Sequence, residues 1–187
     1  MTFFNPILPD PSERSRAVRL YHYVGPRQIA ERVVGTTGVA VGSPADVLAW
    51  IAATVQEIRD GCVIATFVVD AAGVLRIADR RSEHVACAGG GPVRSAGEIT
   101  FGVGESVEVV AVSNQSTGFC PEPESWPAVA AALALAGLVT PEGFAMECTF
   151  RRCVGCCSLT LVKDDVFECG ACGADLPEAY NCQTELS

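Results

Sequence analysis

The sequence predicts an α+β protein: a mostly antiparallel sheet, two or three flanking helices and a small C-terminal unit built on cysteines. Three observations predict it. Between residues 63 and 114, β-rich apolar runs alternate with short clusters of turn formers. On both sides of that region apolar residues recur at helical spacing. Near the C-terminus, four cysteines form two Cys-x-x-Cys pairs. The 187 residues, 49% of them hydrophobic, suffice for one ordinary core plus an appendage. The division expected is an α+β domain over 1–147 with the cysteine unit, 148–187, docked on it.

"GPRQIAERVVG" reads as a short helix, with Pro26 suited to its first turn and Gly35 to its end. "SPADVLAWIAATVQEIRDG" reads as the best helix of the chain. Ser43 can cap it, Asp46 completes a variant capping box, and Gly61 stops it. Val47, Leu48, Ile51, Val55 and Ile58 form its apolar stripe. "CVIATFVVDAAGVLRIAD" then reads as a hairpin turning at Asp70 to Gly73.

"SEHVACAGGGPVRSAGEITF" reads as a strand, a glycine loop and a second strand, with the loop facing Gln115 to Pro121. "EITFGVGESVEVVAVSN" adds a turn at Gly102 to Glu105 and a further strand. After a proline-rich loop, Pro121 to Glu124, Ser125 can cap a helix over Trp126 to Ala136. That helix is apolar nearly all round, which predicts full packing on the sheet. "GFAMECTFRR" reads as a strand entering the cysteine unit.

In that unit Cys153 and Cys156 form one pair, and Cys169 and Cys172 the other. "SLTLVKDDVFE" between them suits a hairpin. Two tight loops would gather four thiolates around one metal ion, with Gly155, Gly170 and Gly173 permitting the strained backbone. Residues 153–172 resemble the zinc-ribbon family, which implies one structural Zn²⁺ per chain on these four cysteines. Cys157 is the alternative ligand to Cys156. Four sulfur ligands leave no open position, so this metal would hold structure rather than perform chemistry.

Ser82, His84, Ala88-Gly89, Ala96-Gly97-Glu98 and Ser116 to Pro121 occur in an order that resembles a module of plant calmodulin-binding IQ-motif proteins. Similar modules occur in bacterial proteins, some associated with toxins. Thr117-Gly118-Phe119-Cys120 stands where that pattern has Gly-His-Tyr. The resemblance implies a module boundary and no established activity.

The residues themselves suggest two functions. The first is a zinc-containing, bacterial-type binding protein using loops 82–98 and 114–124, with Glu83, His84, Asn114 and Ser116 meeting the ligand. The partner would be a protein or a small polar molecule. The alternative is a small hydrolase or group transferase with His84, Glu98 and Cys120 in one pocket, since a thiol beside a histidine is the minimum for thiol nucleophilic catalysis. A dyad of His84 with Cys87 is disfavoured, because strand alternation would separate them.

Charge and hydropathy exclude other classes. A net charge of −9 repels nucleic acid, and from residue 148 onward three basic residues face six acidic ones. No apolar run reaches spanning length, so no membrane partner is expected. The N-terminus lacks a secretory pattern and ten cysteines suit metal or free thiols, so a cytoplasmic location is expected.

Overall fold

The computed structural model describes residues 19–53, 58–104 and 106–183. Five strands form one antiparallel sheet: β1 (Val39–Val41), β2 (Cys62–Asp70), β3 (Leu75–Asp79), β4 (Val93–Val103) and β5 (Val107–Val112), in the order β1-β3-β2-β4-β5. The α+β class expected from the sequence is the one observed. Strand β2 lies at the centre and is buried on both faces, which is why "VIATFVV" reads as a nearly continuous apolar run rather than an alternation. The β2–β3 turn is held by Asp70, whose carboxylate accepts from the Ala72 and Val74 amides at 2.9 and 3.0 Å and from Arg76 Nε at 2.8 Å. Gly73 supplies the left-handed φ of +91° there.

Helices α2 (Pro44–Ala53) and α4 (Trp126–Leu135) cover one face of the sheet. Val47, Trp50, Val129 and Leu133 pack there on Phe67, Ile77 and Phe101. At the start of α2, Asp46 accepts hydrogen bonds at 2.9 Å from both the Ser43 hydroxyl and the Gly42 amide, while its own amide donates to the Ser43 carbonyl. Asp46 reaches back as expected, but the Ser43 hydroxyl donates to it instead of capping a helix amide. Trp50 replaces Leu48 in the expected apolar stripe: Leu48 is exposed, and Val55 lies outside the described residues. Helix α4 also departs from expectation. It buries one side only; Leu135 is 80% exposed and Ala131 and Ala134 face outward with it. Ser125 does not cap this helix, because its hydroxyl is paired with the buried Ser95 hydroxyl at 2.9 Å.

Helices α1 (Arg27–Arg32) and α3 (His84–Cys87) lie on the other face. Tyr21, Val85 and Phe119 pack there on Val68 and Ala96. Helix α3 corrects the sequence reading, which made residues 82–88 a strand. The Gly90 amide donates to Val85 O at 2.9 Å and the Gly89 amide to Ala86 O at 3.0 Å. Gly89 and Gly90 have φ of +65° and +79°. This is a Schellman cap, so these two glycines end a helical turn rather than join two strands. The second strand of that reading, β4, is present.

The C-terminal unit holds a two-stranded sheet of β6 (Thr149–Arg152) and β7 (Leu159–Val162). It is tied to the larger sheet by buried polar contacts. Asn114 donates to Cys148 O at 2.8 Å and accepts from the Cys148 amide at 2.7 Å. Tyr180 meets Tyr21 edge to face, with ring centroids 5.9 Å apart. No helix of the described residues is long and apolar enough to cross a membrane.

Candidate metal centre and ligand cavity

The sulfur atoms of Cys153, Cys156, Cys169 and Cys172 all lie within 4.8 Å of one another. Two of the separations, Cys153 to Cys172 and Cys156 to Cys169, are 3.6 Å. A tetrahedral ion with metal–sulfur bonds of about 2.3 Å sets its sulfurs about 3.8 Å apart, so the four thiols fit a metal ion with little adjustment.

Two matching loops build this cluster. The Cys157 amide donates to Cys153 O at 2.9 Å, and the Gly173 amide donates to Cys169 O at 2.8 Å. Both donors follow the second cysteine of a pair, and both are left-handed, with φ of +62° at Cys157 and +71° at Gly173. Cys157 thus occupies the position that glycine fills in the other loop, and its sulfur is outside the cluster. The sequence reading gave the strained positions to Gly155, Gly170 and Gly173; only Gly173 has positive φ, and Cys157 takes the other. The Thr160 hydroxyl and the Ala171 amide lower the Cys169 thiol to about 6, which favours the thiolate that a metal requires.

A second feature lies between the α1 and α3 side of the larger unit and the small β6–β7 sheet. A cavity of about 420 Å³ is lined by Tyr23, Glu83, His84, Thr117, Gly118 and Arg152, among others. The two segments singled out in the sequence therefore meet here, His84 from α3 and Thr117 from the loop after β5. Loop 80–82 is pinned near it by Thr66, whose hydroxyl lies 3.2 and 3.3 Å from the Arg80 and Ser82 carbonyls. His84 Nε2 is 3.0 Å from Gly97 O. With Nε2 as donor, the neutral ring keeps Nδ1 as an acceptor. Burial lowers the His84 pKa below its ordinary value, against the opposing pull of the Gly97 carbonyl and of Glu98 and Glu83.

Gly97 explains the Ala-Gly-Glu stretch. A Cβ on it would run into the Ser113 carbonyl, so the chain leaving β5 crosses directly over this residue. The requirement is close backbone approach inside β4, not a turn.

The other sequence candidates are placed away from the cavity wall. Asn114 is fully buried, and its amide bonds Pro121 O and both backbone groups of Cys148, so it braces the chain. Ser116 is buried with its hydroxyl unpartnered. Glu98 pairs with Arg80 at 3.3 Å. Cys120 is fully buried and donates to Thr117 O at 3.3 Å. The neighbouring Cys182 thiol, followed by burial, pushes its pKa far up. As positioned, it is neither exposed nor ionised as a nucleophile must be. Cys87 is likewise buried 3.6 Å from Arg76 O, and burial raises its thiol to about 12. Of His84, Glu98 and Cys120, only His84 lines the cavity, and among the described residues no hydrogen bond joins His84 to Cys120.

Two polar cavity residues escaped the sequence reading, Tyr23 and Arg152. Tyr23 enters because the Val24 amide donates to Gly118 O at 2.8 Å, drawing the N-terminal segment across the loop. Its ring lies where a Cβ on either Gly25 or Gly118 would be. Arg152 was passed over as the residue before a metal-cluster cysteine. No protein-family model matches the chain, and neither does any curated protein or solved structure.

Proposed function

We propose that this is a zinc-stabilised binding protein whose ligand, a small polar molecule, seats in the cavity between the start of α3, at Glu83 and His84, and the loop after β5, at Thr117 and Gly118. One observation carries the reading: two segments distant in sequence, the start of α3 and the loop after β5, together with Tyr23 and Arg152, line a partly open cavity of about 420 Å³ bearing ionisable and hydroxyl groups. That volume is in the range of small-molecule sites, and convergent polar groups are what fix a ligand's orientation. Zinc on the four-cysteine cluster would be structural, holding β6 and β7 so that Arg152 forms one wall. The acidic net charge supports a small ligand over a nucleic acid.

The test compares native mass spectra of the purified chain and of Thr117→Trp after exposure to a metabolite extract. Thr117 is exposed at the cavity wall, so the larger side chain fills the space without entering the core. A small molecule retained by the wild type and lost from Thr117→Trp is expected. Equal retention by both proteins, or none by either, would overturn the proposal.

A further inference from the structure

Strand β6 carries two adjacent arginines that end in opposite situations. Arg151 uses all five of its N–H donors on protein. It donates to both Glu122 carboxylate oxygens, to Phe150 O and twice to Glu178 O. Its charge is neutralised by Glu122. Alternation along the strand turns Arg152 the other way. Its Nη1 and Nη2 each donate once, to Cys157 O at 3.2 Å and Cys182 O at 3.3 Å. Its Nε–H is shielded from solvent and has no acceptor. Among the described residues, no carboxylate forms an ion pair with it.

A partly buried guanidinium outside any ion pair is costly, and such groups mark places where a ligand or ion completes the set. Since its Nε–H is shielded, the second N–H of Nη1 and of Nη2 are the donors left for a ligand. Arg152 lines the cavity. We infer that the cavity takes a small molecule bearing one oxyanion group, a carboxylate or a phosphate, with Arg152 as its counter-charge. This rests on the reading of the cavity as a binding site. Guanidinium donors match the planar spread of oxyanion oxygens. Tyr23 and Thr117 bring hydroxyl donors to the same walls, and neutral His84 brings an acceptor for a ligand hydroxyl. Glu83, also on the wall, together with the acidic protein as a whole, opposes anions in proportion to their charge, so a polyanion is disfavoured most and Arg152 has to offset the repulsion of a single oxyanion group.

The experiment is calorimetric titration of the full-length, zinc-loaded chain with four probes: glycerol phosphate, lactate, glycerol and ethanolamine. The anionic probes should bind, with glycerol and ethanolamine at least tenfold weaker. Arg152→Gln should weaken the anions at least tenfold, Arg152→Lys less, and Thr117→Trp should abolish binding. Zinc content and circular dichroism establish that each variant is folded; if Arg152→Gln is not, Arg152→Lys and Thr117→Trp decide. Binding of glycerol or ethanolamine as tight as the anions, unaltered at Arg152 but lost in Thr117→Trp, overturns the oxyanion assignment and leaves the cavity as a site. Anion binding that survives Thr117→Trp overturns both. No binding of either anion at millimolar concentration overturns the oxyanion assignment, and the extract experiment then decides the cavity separately.

Discussion

Arg151 and Glu122 form a two-pronged ion pair, at 2.7 and 3.1 Å, with both side chains almost wholly buried between the larger sheet and the C-terminal unit. Taking two charges out of water is expensive, and their attraction repays it only with good geometry and no idle donors. Here every Arg151 donor is used. The pair is thus a fastener whose halves depend on each other. Glu122→Ala should destabilise the protein by about 3–5 kcal/mol, because it strands a buried guanidinium. Arg151→Met combined with Glu122→Leu should recover most of that loss. Urea denaturation at saturating zinc measures both, and a double variant no more stable than Glu122→Ala would contradict this account.

The metal centre makes a sharper prediction, because its two loops differ at one matching position. Elemental analysis under reducing conditions should find one zinc per chain. Cys156→Ser should lose it, while Cys157→Ser should keep it. Cys157 holds a left-handed φ that costs a side-chain-bearing residue about 1–2 kcal/mol relative to glycine. Cys157→Gly should therefore retain zinc and gain about 1 kcal/mol of stability, offset in part by the greater freedom of glycine in the unfolded chain. Loss of metal from Cys157→Gly would reassign the ligand.

Much of this arrangement was legible in the sequence, and the failures share a cause. The β2–β3 hairpin was visible because Asp70 and Gly73 act locally, within one turn. The metal cluster was visible because each half is a local loop with fixed spacing. Helix α3 was not. Four residues carry too little periodicity to announce a helix, and glycines at 89–91 fit a strand-to-strand loop as well as a Schellman cap. Asn114 looked like a loop residue free to meet a ligand because its partner, Cys148, is 34 residues away. Arg151 and Arg152 are identical in type and adjacent in sequence. Only the fold decides that one meets a carboxylate and the other a cavity.

His84 links stability to pH. Burial depresses its pKa, so the folded protein prefers the neutral ring that donates from Nε2 to Gly97 O. The unfolded chain protonates this residue near its ordinary value of about 6.5. Between that value and the lower folded one, the unfolded state binds more protons, and stability falls as pH falls. Above about 6.5 the contribution is complete. His84→Gln keeps an amide donor for the Gly97 carbonyl but cannot titrate. Wild type and variant should therefore show parallel stability from pH 8 to 7. Below about 6.5 the wild type should lose stability faster, by up to about 1.4 kcal/mol per pH unit for one proton. Denaturant midpoints measured from pH 8 to 5.5, with zinc content determined at each pH, separate this from acid loss of the metal, which both proteins share. Curves that stay parallel through pH 5.5 would show that the His84 ring accepts a proton in the folded protein as readily as in the unfolded chain.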